Sequence, residues 1–220
     1  MKKVLILFIF ILTMTSCKYK ITSPYSEYDI SLGGNENKTL SVIDANATED
    51  DIKNALSNNK ELTGKNIIIV AGYISSSKIF DTMKTALQNE KNIELDLSNA
   101  SFDNSYNFTL ENAAFLQTVL FAPTQKLAAN FFSGCTSLES IQLTSSLTAI
   151  ESTSFNNCSS LKNVEYLGAS ADILSGVKPF SGTVKPTDLY LPNISSQSED
   201  WKDFLGVSWA NIHYGVSMPK

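Results

Sequence analysis

The sequence predicts an α/β solenoid, a fold in which short repeated units stack along one axis. Two segments, 132–138 and 155–161, are nearly identical. Each begins with Phe, has Cys at its fourth position and ends with Leu, and the two lie 23 residues apart. A strand-like apolar pattern begins at the end of each segment and also occurs ahead of the first one. Since a unit of this size cannot bury its own apolar side, neighbouring copies must stack to form a continuous core.

The strand pattern places apolar residues at its first, fourth and sixth positions. Its copies are Leu116, Val119 and Phe121, then Leu138, Ile141 and Leu143, then Leu161, Val164 and Tyr166. Ile93, Leu95 and Leu97, at every second position, begin the repeat strands. A period of roughly 20 to 29 residues with this spacing is typical of leucine-rich repeats. We therefore expect parallel strands, one per repeat, lying side by side.

The end of each unit distinguishes these repeats from the commonest leucine-rich repeat. Ser146 stands where that repeat has Asn or Cys, and each unit closes with Phe, small polar residues, Cys, two residues of Ser or Thr, and Leu. This variant resembles the BspA-type leucine-rich repeat family of bacterial surface proteins. The resemblance is close over residues 92–168, and the segments 189–193 and 201–209 resemble the closing part of that family. Since members of the family are implicated in attachment to host extracellular matrix and to other bacteria, the resemblance implies an adhesive function.

The first sixteen residues have the plan of a secretory signal peptide. Lys2 and Lys3 precede an eleven-residue, mainly apolar run at 4–14, and small residues then lead to Cys17. The run is shorter than the ~20 residues that a membrane-spanning helix needs. We expect residues 1–16 to be removed and Cys17 to be acylated, as in a bacterial lipoprotein. The alternative is a plain secreted protein in which Cys17 has no special role.

The rest of the chain divides by composition and periodicity. We expect a lipidated N-terminus and flexible linker at 17–39, an N-terminal α/β cap at 40–91, repeats at 92–168, a C-terminal cap at 169–215 and a tail at 216–220. In the first cap, Thr48 and Asp51 predict a capping box, followed by a buried strand at 67–70 and a helix at 75–88. In the second, Ser196 and Glu199 predict another capping box, a helix at 197–205 and a last strand at 211–214.

Charge and cysteine content limit the classes of partner. The chain has 17 basic and 22 acidic residues, a net charge of −5 that becomes −7 once Lys2 and Lys3 are removed with the signal. This excludes a basic nucleic-acid footprint. Cys135 and Cys158 occupy equivalent places in neighbouring repeats. We favour free thiols, because stacked side chains keep the ~4.8 Å strand spacing whereas a bridge draws the Cβ atoms to ~3.8 Å. A disulfide remains the alternative.

The sequence predicts no catalytic, cofactor or metal site. His213 is the only histidine, so a cluster of histidine ligands is impossible. The chain also lacks a glycine-rich phosphate loop and an HExxH motif. A secreted hydrolase would have to use His213 as its base, and this is the third and least favoured hypothesis.

The repeats do predict a surface. Residues that alternate with the buried strand positions point to the concave side of a solenoid, and solenoids bind partners there. The predicted ligand-binding face consists of Glu94, Asp96, Thr118, Leu120, Ser140, Gln142, Asn163 and Glu165. These positions could equally be the solvated side that any strand needs. The acidic and polar character of this face favours a protein or glycan ligand, and the resemblance to the BspA-type family implies host extracellular matrix as one candidate.

These observations together predict a bacterial cell-envelope lipoprotein, at the outer membrane or cell surface. Its repeat domain would act as an adhesin-like, protein-binding module. The alternative is a structural or accessory scaffold protein of the envelope.

Cys17→Ser tests the lipid anchor. A serine cannot carry the thioether-linked lipid, so we expect the variant to lose both lipid labelling and signal cleavage at that position. Metabolic labelling with radioactive palmitate and the mobility of the mature protein measure the two effects. Undiminished palmitate incorporation would remove the lipoprotein assignment.

Overall fold

The computed structural model describes residues 39–103, 108–180 and 185–219. These residues contain two α-helices and ten β-strands. The helices are α1 (Glu49–Thr63) and α2 (Lys78–Leu87). The strands are β1 (Val42–Ile43), β2 (Ile67–Ile74), β3 (Ile93–Phe102), β4 (Leu116–Leu120), β5 (Lys126–Leu127), β6 (Ser140–Leu143), β7 (Ala149–Ile150), β8 (Asn163–Tyr166), β9 (Asp188–Leu191) and β10 (Asn211–Tyr214). In these ranges neither helix is long and apolar enough to span a membrane.

The strands form one long parallel sheet and one short one. The long sheet has eight strands in the order β1-β2-β3-β4-β6-β8-β9-β10, and β5 pairs with β7 in the second sheet. Strand order follows chain order throughout, and every pair is parallel. This is the solenoid-like repeat fold that the sequence predicts.

The core lies on one side of the long sheet. Val119, Ile141, Val164 and Leu189 face one another across successive strands, and all four are fully buried. They belong to one apolar cluster that extends from the N-terminal helices to the last strands. The predicted inward positions of the strand pattern are therefore confirmed, including Tyr166, which is fully buried.

Backbone hydrogen bonds also join the loops of neighbouring repeats. Asn112, Gly134 and Asn157 occupy equivalent loop positions, and each has a positive φ, between 59° and 73°. Only Gly and, less often, Asn or Asp adopt this conformation readily. The amide of Asn112 donates to the Ser133 carbonyl at 2.7 Å, and the amide of Gly134 donates to the Asn156 carbonyl at 2.8 Å. The loops of Asn112 and Gly134 are thereby each tied to the next repeat.

Phenylalanine side chains fill the space between repeats. Phe132 and Phe155 stack with their ring centroids 5.6 Å apart, and Phe155 stacks in turn on Phe180 at 5.2 Å. Phe131 and Phe121 extend the aromatic cluster towards the N-terminus. Since stacked and edge-to-face rings add to the free energy of area burial, this column holds successive repeats together.

The two repeat cysteines are free and buried. The Cys135 thiol donates to the Leu110 carbonyl at 3.3 Å, and the Cys158 thiol donates to the Phe132 carbonyl at 3.0 Å. In both bonds the acceptor is a backbone carbonyl of the preceding repeat, and the two carbonyls occupy equivalent positions in their repeats. The cysteines therefore act as buried hydrogen-bond donors between repeats, a role beyond the apolar packing that the sequence predicts.

The N-terminal segment continues the same sheet and core. The predicted capping box is present, since the Thr48 side chain accepts from the Asp51 amide and the Asp51 carboxylate accepts from the Thr48 amide. The prediction that the second helix begins at Ser75 is wrong, because β2 continues to Ile74 and the chain needs Ser75–Ser77 to turn before α2 starts at Lys78. Phe80 and Met83 of α2 are fully buried in the core.

The predicted helix at 197–205 is also wrong. Two short 3₁₀ turns, Glu199–Trp201 and Phe204–Gly206, replace it. Ser198 is extended, with φ −144° and ψ 144°, so no helix can run through it, and Asp203, with φ −115° and ψ 22°, separates the two turns. Ser198 caps the first turn by accepting from the Asp200 amide, so the predicted Ser196 and Glu199 capping box does not form.

The aromatic residues of this segment pack as the sequence predicts. Trp201, Phe204 and Leu205 are buried. The rings of Trp201 and Phe204 lie 6.1 and 5.0 Å from the ring of Tyr166. The chain after β9 therefore packs against the repeat core at Tyr166.

Phe155→Ala tests the contact between repeats. Phe155 is fully buried between two other rings, so its truncation should lower the free energy of unfolding by about 3 to 5 kcal/mol. Ile173→Ala is the matched control, because Ile173 is 46% exposed and its truncation should cost about 1 kcal/mol or less. Denaturant titration measures both, and equal small losses would show that the repeat register is wrong.

Candidate binding face

The sheet presents two rows of side chains on the side opposite the core, and we call these rows the strand face. The first row runs Glu94, Thr118, Ser140, Asn163, Asp188 and Asn211. The second runs Asp96, Leu120, Gln142, Glu165, Tyr190 and His213. All eight residues of the predicted ligand-binding face lie in these rows, so the structure brings them together.

The expectation of an open, solvated surface is wrong for much of the strand face. Asp96 and Leu120 are fully buried, Glu165 is 1% exposed, and Glu94 and Ser140 are 8% exposed. Thr118, Gln142 and Asn163 remain partly exposed. Strand alternation predicts which side of the sheet a residue faces, but it does not predict what lies above that side.

The N-terminal end of the strand face continues into apolar residues of β2. Ile67 pairs with Glu94 and Ile69 pairs with Asp96, and both isoleucines join Leu120 in a cluster separate from the main core, with Leu40 packed against it. The carboxylate of Asp96 lies within this apolar setting, and its Oδ1 accepts from the amide and the hydroxyl of Ser98 at 2.8 and 2.6 Å. Both sides of the sheet are therefore buried here.

The middle of the strand face is held by side-chain hydrogen bonds between neighbouring strands. The Asn163 amide group donates to the Ser140 hydroxyl at 3.0 Å, and the Gln142 amide group donates to Oε1 of Glu165. The other carboxylate oxygen of Glu165 accepts from the backbone amide of Met218. These bonds fix the rotamers of the polar residues before any partner binds.

Two further strands, β9 and β10, extend the strand face beyond the predicted residues. Oδ1 of Asp188 lies 2.9 Å from the Asn211 amide nitrogen and 3.0 Å from Nε2 of His213. The rings of Tyr190 and His213 stack at 4.3 Å. The signal for these residues is present in the sequence, because Asp188 and Asn211 are 23 residues apart, the spacing between the two cysteines.

Asp188 is an ionisable group whose pKa is shifted by its neighbours at the β9–β10 end of the strand face. Burial alone would raise the pKa of this carboxyl, but hydrogen bonds from Thr187, His213 and Asn211 and the charge of His213 outweigh it and hold the pKa below its ordinary value. Asp188 therefore stays ionised and keeps its acceptor role at neutral pH.

The hydrolase hypothesis gains no support from the arrangement of candidate nucleophiles. Burial raises the pKa of both repeat thiols, that of Cys158 to about 12, and a protonated thiol is a poor nucleophile. His213 is paired with a carboxylate and stacked on Tyr190. In the parts of the chain that the structure describes, no three His, Cys, Asp or Glu side chains come together as a metal site.

Other surface features lie away from the strand face. Two depressions, of about 480 and 520 Å³, lie beside α1 and α2 and are lined mainly by small polar and charged residues. The predicted lipidation site, Cys17, lies outside the described residues, as does the predicted signal peptide.

Comparison with known proteins agrees with the geometry. Residues 96–198 match the family profile described as a BspA type leucine rich repeat region, in six copies. The matched residues continue beyond 168, through β9 and the turn that follows it. No curated protein and no solved structure matches the chain.

Proposed function

Because residues 96–198 form a BspA-type leucine-rich repeat region, we propose that this protein is a lipid-anchored protein of the bacterial cell envelope whose strand face binds a protein partner. In this proposal the repeats act as an adhesin-like module, with host extracellular matrix as the candidate ligand. Leucine-rich repeats generally serve in interaction and not in catalysis, which agrees with the site.

The observation that carries the proposal is the pair of continuous side-chain rows across the sheet. A row needs at least two stacked repeats, so an isolated unit cannot form this surface. Extended surfaces of this kind are how solenoid proteins bind their partners. Hydrogen bonds among Gln142, Glu165, Ser140 and Asn163 reduce the rotamer entropy that would be lost on binding.

The charge of the strand face favours one class of partner. Its two rows contain no Lys or Arg, and of their four carboxylates Glu94, Asp96 and Glu165 are buried while Asp188 is partly exposed. A surface without cations and with an accessible carboxylate at one end disfavours polyanions and suits basic or hydrogen-bond-donating protein segments. Tyr190 and His213 add a stacked aromatic pair at one end, and aromatic residues are enriched at protein interfaces.

The segments that flank the repeats serve as caps in this proposal. A solenoid must cover the apolar ends of its core. The buried faces of α1 and α2 at 40–91 and the packed aromatic residues at 201–204 would do so, which is consistent with this proposal. After removal of the signal-like residues 1–16, the acylated Cys17 and the linker to residue 39 would tether this body to the outer membrane or cell surface.

A double substitution on the strand face tests the binding proposal. Thr118→Lys with Asn163→Lys places two long cations at partly exposed positions and should weaken binding to immobilised extracellular-matrix protein at least tenfold. Ser137→Lys with Ser159→Lys is the matched control, because both serines are exposed at turns outside the strand face and the charge change is the same.

Surface plasmon resonance measures the binding, and circular dichroism checks that all variants are folded. Unchanged binding by the folded strand-face variant would move the contact elsewhere on the protein. If the unsubstituted protein binds no matrix protein, the adhesin role is wrong.

A further inference from the structure

The C-terminal segment of the chain lies across the strand face. After β10 ends at Tyr214, Gly215 takes a left-handed conformation, with φ 66°, and its amide donates to the Leu191 carbonyl at 2.9 Å. Three residues later the amide of Met218 donates to Glu165 on β8. Since β9 separates β8 from β10 in the sheet, residues 215–218 must cross β9 on the side to which Glu165 points.

One side chain of this segment is buried, that of Met218, whereas residues 215–217 and 219 are exposed. Met218 is 3% exposed, whereas Val216, two residues earlier, is 52% exposed. The burial of Met218 and its amide hydrogen bond to Glu165 show that contacts hold this segment against the sheet. Methionine suits such a contact, because its unbranched side chain adapts to irregular apolar surfaces.

Glu165 is the polar partner of this segment. The residue is 1% exposed, its Oε1 accepts from Gln142 and its Oε2 accepts from the Met218 amide. A buried carboxylate is costly unless hydrogen bonds satisfy it. When the segment leaves, Oε2 loses this donor, and water or the backbone amide of an incoming chain must replace it.

We propose that the strand face around Glu165 is a peptide-binding subsite that the chain's own residues 215–219 occupy. A protein partner enters by displacing them with an extended segment that donates a backbone amide to Glu165 and inserts an unbranched apolar side chain in place of Met218. This inference rests on the proposed function, in which the strand face binds a protein.

The covalent link makes the segment a competitor for this subsite. A ligand tethered by a few residues acts at an effective concentration in the millimolar range. A free peptide of the same sequence therefore binds weakly while the segment is in place. Removal of the segment exposes the subsite and increases the affinity for such a peptide.

Thiol labelling tests whether the segment is docked. In a Cys17→Ser background of the full chain, with Cys135 and Cys158 buried, Met218→Cys should react with a maleimide at least tenfold more slowly than Val216→Cys. Glu165→Ala should accelerate labelling at 218 and leave labelling at 216 unchanged. Glu151→Ala is the control, because that carboxylate is paired with Lys126 away from the strand face. Equal labelling rates at 218 and 216 would overturn the docking.

Peptide binding tests the subsite itself. The probe is a fluorescent synthetic peptide with the sequence of residues 215–219, and fluorescence anisotropy measures its binding. A chain that ends at Gly215 should bind it at least tenfold more tightly than the full chain, and Glu165→Ala in the shortened chain should remove the gain. If the shortened chain does not fold, Met218→Gly in the full chain gives the same comparison.

Peptide binding and matrix binding together distinguish a failure of the subsite proposal from a failure of the adhesin proposal. A folded shortened chain that binds the peptide no more tightly than the full chain overturns the subsite, whatever the protein does with matrix ligands. A gain in peptide binding without any matrix binding supports the subsite and removes only the adhesin role.

Discussion

The contact between neighbouring repeats is the interaction on which this structure depends. A strand of four or five residues with one flanking loop has too little apolar area to fold by itself. Here the two units that end in Cys135 and Cys158 each gain a parallel strand partner, a packed phenylalanine and a thiol that bonds to the preceding repeat. These contacts recur with the sequence period, so the repeat length fixes the register of the whole sheet.

The same stacking produces the strand face. The strands that bury Val119, Ile141 and Val164 on one side align Thr118, Ser140 and Asn163 on the other. The two sides of the sheet are therefore coupled, because a change of register would move both rows at once. Any binding function of the strand face thus depends on the core that positions it.

The sequence was informative where local chemistry or periodicity decides the structure. The capping box at Thr48 and Asp51 is local, and the inward strand positions follow from a repeated spacing, so both could be predicted. The helix expected at 197–205 does not form, because Ser198 is extended and Asp203 departs from helical angles, and the apolar spacing of the segment does not reveal these backbone angles. The burial of Glu165 depends on Met218, which lies 53 residues away in the chain, and no local pattern joins them.

Hydrogen exchange across the long sheet tests the central claim, that the repeats depend on one another. The account predicts that the amides of Val119, Ile141, Val164 and Leu189 exchange with similar opening free energies, close to the free energy of global unfolding, because no strand can open while its neighbours stay paired. Nuclear magnetic resonance resolves these amides one by one. Exchange at β8 or β9 as fast as in the exposed loops, with β4 still protected, would contradict the account and show that the repeats fold independently.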